Sequence, residues 1–424
     1  MTLDVHSKKF WDPEALREET YRVHHICAEC RLCFKFCDSF PVLFKAVDSA
    51  DGDVRQVTQA TLDQVVDLCF QCKLCYVNCP YTPGQHEWNI DFPRLMLRSV
   101  MVRKKSEPHT LQDRFLGNPD FAGKLGGMGV PMSNWANRLA PFRAILEGVI
   151  GVHRKRNLPL FHRTSFLSWA RKKLRRNPNP PAEAEKAAFF ATCAINHNWP
   201  EVGKSAVAVL RHNQVELVAP QMRCCGMPAL ESGDLDTTRQ YLNENLDNLT
   251  TLVEAGYKIV VPQPTCGYML KQEYPWLSDD PRAKQLSAAT MDLCEYLMWL
   301  KERGKLKTDF KETKQTLAYH LPCHLKAQNI GWKSRDLMQL IPGTRVRVVD
   351  RCSGMDGTFG MKKQSFDDSL KLADKLLVDI DQAPADRVIS DCTLAGLQIH
   401  QRGGRTVTHP IEIVREAYGL DFEV

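Results

Sequence analysis

The chain has 424 residues, 43% hydrophobic and 25% charged, enough for a packed core in two or three domains and too apolar for a disordered polymer. Its net charge of +6 is mild, and no basic stretch carries interleaved aromatics, so nucleic-acid binding is not expected. No run of about 18 uncharged apolar residues exists to form a transmembrane helix, and the polar opening MTLDVHSKKFWDPEALREE lacks the apolar centre of a signal peptide, so a cytoplasmic protein is expected.

In chain order, residues 1–26 read as a short helical lead-in, with Pro13 at a first turn and helix formers over 14–22. Residues 27–100 hold two cysteine runs, Cys27-x2-Cys30-x2-Cys33-x3-Cys37 and Cys69-x2-Cys72-x2-Cys75-x3-Cys79-Pro80. This is the bacterial ferredoxin run, twice. The chain has sixteen cysteines in all, clustered at short spacings, which points to cluster ligation rather than a disulfide scaffold. Zinc sites typically use pairs of ligands, not runs of four.

Three cysteines two residues apart wrap a loop over one cubane face, and the fourth points away to the other cluster. Crossed ligation is therefore expected. Cys27, Cys30, Cys33 and Cys79 hold one [4Fe–4S] cluster, and Cys69, Cys72, Cys75 and Cys37 the other. A helix over 60–67 feeds the second run, and Pro80, Pro83 and Gly84 break the chain after it. The 38–68 insert is long for a compact β-rich ferredoxin. With its helix it resembles the α-helical ferredoxin module of succinate dehydrogenase iron–sulfur subunits.

Residues 101–185 form a basic helical and linker region without cysteine. Gly123, Gly126, Gly127 and Gly129 read as a surface turn, since no strand precedes them as a phosphate loop requires. The stretch at 178–181, Pro-Asn-Pro-Pro, reads as a linker. From Gly148 to Ala182 nine Lys and Arg occur with no Asp or Glu, interleaved with apolar residues. That segment is either a solvated basic face or a docking surface for anionic lipid or an acidic partner.

Residues 186–424 alternate short apolar runs with helical patterns, as parallel α/β sheets do. Strands are expected at 187–191, 215–219, 258–262, 316–320, 346–350 and 388–390. Three landmarks repeat. Cys193 and Cys323 lie 130 residues apart, Cys224 and Cys352 lie 128 apart, and Cys266 and Cys392 lie 126 apart. Near-constant offsets imply two α/β lobes, 186–305 and 306–424, each gathering cysteines at its strand ends.

These motifs resemble the CCG-domain family, which includes the B-subunit of heterodisulfide reductase and glycolate and lactate oxidation iron–sulfur proteins. With the ferredoxin runs, the chain looks most like the group formed by the C-subunit of anaerobic glycerol-3-phosphate dehydrogenase. The resemblance implies an α+β multidomain protein: an α-helical ferredoxin-like domain over 1–100, then two pseudo-repeated α/β lobes. Each family lobe carries one Cys, then Cys-Cys-Gly, then Cys-x-x-Cys. Here Gln263, Ser353 and Ala395 fall where the pattern has cysteines. Lobe one keeps Cys193, Cys224, Cys225 and Cys266, enough for a closed cluster. Lobe two keeps Cys323, Cys352 and Cys392, which leaves one iron position open or makes a three-iron cluster; His320, His324 and His409 are candidate further ligands. Cys294 matches an apolar helical position near Ile411 and reads as a small buried hydrophobe.

The function expected is electron transfer. A partner, a flavin dehydrogenase subunit, delivers electrons to the ferredoxin clusters, and these pass them to the lobes and on to an acceptor such as quinone. That would place the protein peripherally on the inner face of the cytoplasmic membrane. The chain has no nucleotide-binding fingerprint of its own. Two rivals remain: a heterodisulfide reductase-like enzyme using an open lobe-two site, and an electron donor to a rubrerythrin-like non-haem iron peroxidase.

Overall fold

The computed structural model describes residues 3–174 and 181–422, so the linker expected at 178–181 falls largely outside the described residues. The first helix, Pro13–Cys30, is capped by the Asp12 side chain accepting from the Glu14 N–H, with Pro13 in its first turn. It runs past the lead-in expected at 1–26 and carries Cys27 and Cys30 on its last turn, ending where Arg31 adopts φ 54°. The helices Ser39–Asp48 and Gln59–Asp67 occupy the insert. They bury Phe40, Leu43, Phe44, Leu62 and Val65 against Leu95 of the helix Phe92–Ser106. Each such side chain contributes about 1.5–3 kcal/mol by leaving water. The second cysteine run is mostly irregular, with Gln71 at φ 56° and Lys73 at φ 64° on either side of Cys72.

The glycines at 123–129 do not form a surface turn. They lie in or just after a helix, Pro119–Met128, capped by Asn118 accepting from the Phe121 N–H. Their role is close approach. A Cβ on Gly123 would run into the His197 ring, and one on Gly126 would sit 2.5 Å from Phe161. Two aromatic side chains thus occupy the space that side chains there would need.

The two lobes each contain a four-stranded parallel sheet. The first has β1 (Lys186–Phe189), β2 (Glu216–Val218), β3 (Lys258–Val261) and β4 (Thr290–Asp292), in the order β2-β1-β3-β4. The second has β5 (Gln315–His320), β6 (Thr344–Val349), β7 (Arg387–Ser390) and β8 (Val407–Thr408), in the order β6-β5-β7-β8. The six expected strands are present within a residue or two at most ends. β4 and β8 lie beyond the expected set, because three and two residues are too short to show a period. In each sheet the order reverses beside the first strand, which opens a crevice at the carboxyl ends.

The lobes share one core. Phe189, Val260 and Leu297 of the first cluster with Tyr319, Ile389 and Ile411 of the second. The helix Pro200–His212 packs on Pro410–Tyr418. Among the described residues no helix is long and apolar enough to cross a membrane.

Candidate iron–sulfur centres

All sixteen cysteines are free thiols, so nothing competes for them as disulfides. In lobe one each thiol follows a strand. Cys193 opens the short helix Cys193–His197 after β1, Cys224 and Cys225 follow β2, and Cys266 lies in Pro264–Tyr268 after β3. Their side chains touch in series, Cys193 to Cys224, Cys224 to Cys225 and Cys225 to Cys266. The Cys224 contact and burial push the Cys193 thiol well above its ordinary pKa. Gly226, the glycine of the Cys-Cys-Gly motif, sits at φ 97°, a conformation that only glycine takes readily.

Buried hydrogen bonds fix the motif from outside. The Asn245 side-chain amide donates to the Cys224 carbonyl at 3.2 Å, and the Tyr274 hydroxyl donates to the Cys225 carbonyl at 3.0 Å. The Cys224 N–H donates to the Asp120 carboxylate at 2.7 Å, which ties the middle region to the site.

Lobe two repeats the layout with one thiol fewer. Cys323 opens Cys323–Ala327 after β5, Cys352 follows β6, and Cys392 caps Thr393–Gly403 after β7. The Cys392 sulfur accepts from the Ala395 N–H at 3.4 Å, and burial raises its pKa to about 11. Ser353 is buried, and its hydroxyl accepts from the Met355 N–H at 3.4 Å. Gly354 takes φ 70°, and a Cβ there would meet the Ser369 carbonyl at 2.6 Å.

In the ferredoxin region the thiols form two neighbourhoods. Burial raises the Cys27 pKa, with Cys33, Cys79 and Cys30 as its next causes. Burial likewise raises Cys75 well above its ordinary value, followed by Cys72, Cys69 and Cys37. The two neighbourhoods adjoin, the Cys33 sulfur lying 3.9 Å from the Cys75 carbonyl. The thiol of Cys72 is also in direct contact with that of Cys352, which in turn contacts Cys323. Nothing in the spacing of either run signals that link.

The three histidines are already engaged. His320 places Nδ1 2.9 Å from the Ser390 hydroxyl and Nε2 3.0 Å from the Arg351 carbonyl. His324 places Nδ1 2.9 Å from the Thr265 hydroxyl and Nε2 3.0 Å from the Gln71 carbonyl. His409 places Nε2 3.0 Å from the Pro262 carbonyl, while Nδ1 accepts from the Ile411 N–H at 3.2 Å. Each ring nitrogen of the three thus has a hydrogen-bond partner in this arrangement. Burial holds His320 and His324 neutral, with pKa values lowered to about 4.

Gln263 is buried, and its side-chain carbonyl accepts from the Thr393 N–H at 3.4 Å, so it bridges the lobes. Cys294 is fully buried, as expected of a small hydrophobe, but its surroundings are polar. Its thiol lies 3.7 Å from an Asp391 carboxylate oxygen, beside Asp292.

These donor sets suit iron–sulfur clusters: soft sulfur, gathered in close groups, buried or half-buried and set at the spacing that such clusters use. Held protonated by burial and by each other, the thiols would release protons as iron binds.

The Cysteine-rich domain family (CCG) matches residues 187–271 and 317–400, and the Citrate utilization protein B Fer4-like domain matches 20–107. The C-subunit of anaerobic glycerol-3-phosphate dehydrogenase of Escherichia coli (strain K12) is 27% identical over 402 residues, 84% of this chain and 99% of that protein. Lactate utilization protein A of Halalkalibacterium halodurans is 29% identical, across 49% of this chain and 85% of its own length. The B-subunit of fumarate reductase (CoM/CoB) of Methanothermobacter marburgensis is 26% identical, across 56% of this chain and 47% of its own. The paired matches coincide with the two sheets and their strand-end thiols, and the Fer4-like match with the two ferredoxin runs; the chain carries two cysteine-rich (CCG) domains behind a Fer4-like domain.

Proposed function

We propose that this chain relays electrons from a partner flavin dehydrogenase, through two crosswise-ligated [4Fe–4S] clusters, to the lobe centres and then to quinone. One cluster would use Cys27, Cys30, Cys33 and Cys79, the other Cys69, Cys72, Cys75 and Cys37. Lobe one would hold a closed cluster on Cys193, Cys224, Cys225 and Cys266, and lobe two a more open one on Cys323, Cys352 and Cys392. Iron–sulfur clusters supply one-electron redox chemistry when bound. The chain supplies the thiolates and sets the distances between them.

The contact between Cys72 and Cys352 carries this reading, because it brings a ferredoxin ligand against a lobe-two ligand. Three of the relatives are named as dehydrogenase, lactate utilization and fumarate reductase proteins, which supports a redox partner. The middle helices supply a surface for a membrane-borne acceptor. Met128, Met132 and Trp135 there are 78%, 72% and 62% exposed, a degree of apolar exposure that marks an interaction face.

The test is an anaerobic preparation reduced chemically and mixed with a soluble quinone analogue. Reoxidation of all centres at a common rate is expected. Retention of reduced ferredoxin signals in the presence of quinone would overturn the relay. A second reading, reduction of a disulfide at lobe two, is favoured by its missing thiol at Ser353. Turnover of a disulfide but not of quinone in the same assay would select it.

A further inference from the structure

A cleft of about 970 Å³ that no cysteine lines lies between the 134–143 segment, the 154–162 strap, Asn198 and Trp199 of lobe one, and Leu397 and His400 of lobe two. Its size is at the upper end of what a small organic ligand fills. Arg138, Arg143, Arg154, Lys155 and Arg156 line it, and no Asp or Glu does. Two imidazoles, of His162 and His400, complete the polar wall.

Not all of this charge is free. Arg154 pairs with Glu147, which does not line the cleft. Arg156 donates to Gln398, Gln401 and the Ser369 hydroxyl. Arg138 and Lys155 have no carboxylate partner among the described residues and face solvent.

Arg143 is the informative member. It is 5% exposed, and it donates from Nε to the Arg154 carbonyl at 3.1 Å and from Nη2 to the His153 and Arg156 carbonyls, each at 2.8 Å. Those bonds fasten the strap. Its Nη1 has no hydrogen-bond partner. A buried guanidinium donor left unpaired is costly, and an anion is the partner that would relieve it. Leu158, Pro159, Trp199 and Leu397 add apolar surface to the lining.

We propose that this cleft binds a phosphate ester, with the phosphate facing Arg138, Arg143 and Lys155 and the organic part on Trp199 and Leu158. A phosphate group offers several acceptor oxygens and up to two charges, which several converging cations and amides can use together. The ester can be free in solution or carried by a lipid. The neighbouring Met132 and Trp135 side chains are exposed, which puts the cleft at the edge of the apolar face. The proposal stands on the cleft itself and does not depend on the electron relay.

Calorimetric titration of the full-length, iron-loaded protein tests it, with inorganic phosphate and with monomeric short-chain phosphatidylglycerol as probes. Saturable binding of at least one is expected. The double variant Arg138→Glu/Lys155→Glu should weaken it about tenfold or more, with iron content and the circular dichroism spectrum unchanged. Binding of phosphate points to a free ester, and binding of phosphatidylglycerol alone to a lipid headgroup. Arg143→Gln should weaken binding too. If that variant fails to fold, the exposed double variant decides by itself. Absence of saturable binding by both probes, or wild-type affinity in the double variant, overturns the proposal.

Discussion

The thiol of Cys72 in the second ferredoxin run meets the thiol of Cys352 at the end of β6, 280 residues further along the chain. The same core that buries Phe40, Leu43 and Val65 also takes in Cys352 and Leu372 of lobe two. The ferredoxin region and lobe two are therefore packed together around these cysteines.

Cys352→Ala should remove the lobe-two centre and leave iron on the ferredoxin thiols. Reoxidation of the reduced ferredoxin centres by a quinone analogue should then slow at least about tenfold, which stopped-flow spectroscopy would record. Unchanged reoxidation would show that electrons leave without passing lobe two.

Ser353→Cys should supply the thiol that lobe two lacks. Ser353 is buried and of nearly the same size as cysteine, so the fold should tolerate it. Thiolate is a far softer ligand for iron than a hydroxyl. Iron per chain should rise, and any three-iron electron paramagnetic resonance signal should convert toward that of a four-iron cluster. Cys225→Ser should instead lower iron content in lobe one.

Gly123→Ala and Gly126→Ala should each destabilise the protein by about 1–3 kcal/mol, the usual range for overpacking. The obstacles are the rings of His197 and Phe161. Neither glycine has a positive φ, so backbone strain is not the cause. Chemical denaturation would measure the loss. A change near zero at both sites would mean that the rings move aside freely.

Glu231 makes stability depend on pH. Burial raises its pKa to about 7, against the opposing pull of Lys73 and Lys362 and with Glu273 adding to the rise. Asp356 beside it is also held protonated, by burial first and by Glu231 next. Between 4.5, the ordinary value, and about 7, the folded protein holds a proton that the unfolded chain has released. Stability from this group is therefore present below 4.5 and is lost as pH rises through about 7. Glu231→Gln should flatten the fall in denaturation midpoint across that window. An unaltered slope would remove Glu231 from the account.

Binding to anionic vesicles should fall at high salt and when Arg171, Lys172 and Lys173 become Gln, because charge attraction at a surface is screened. The helix Phe166–Leu174 buries Phe166, Leu167 and Ala170, which leaves that basic triplet on its other side. Arg175 and Arg176, which continue the basic run, lie outside the described residues. Met132→Ser and Trp135→Ser, which remove apolar surface without adding charge, should weaken binding independently of salt. Cosedimentation would separate the two effects, and full binding in all variants would leave the segment as a solvated face.

Much of the chemistry is legible in the sequence because it is written in local spacing. The two ferredoxin runs depend on residues a few positions apart, the three cysteine landmarks on a near-constant offset along the chain, and the strand ends that hold them follow from short apolar runs. What spacing does not carry is which distant groups meet. The glycines at 123–129 read as a turn, yet His197 and Phe161 fill the space beside two of them. The three histidines read as available, yet backbone carbonyls and hydroxyls stand at their ring nitrogens. Cys294 reads as a plain hydrophobe, yet β4 and the end of β7 bring Asp292 and Asp391 to it from different lobes. The contact between Cys72 and Cys352 is of the same kind. Ligand spacing is a property of the chain, whereas the partner of a buried polar group is set by packing between segments hundreds of residues apart, and only the folded core decides it.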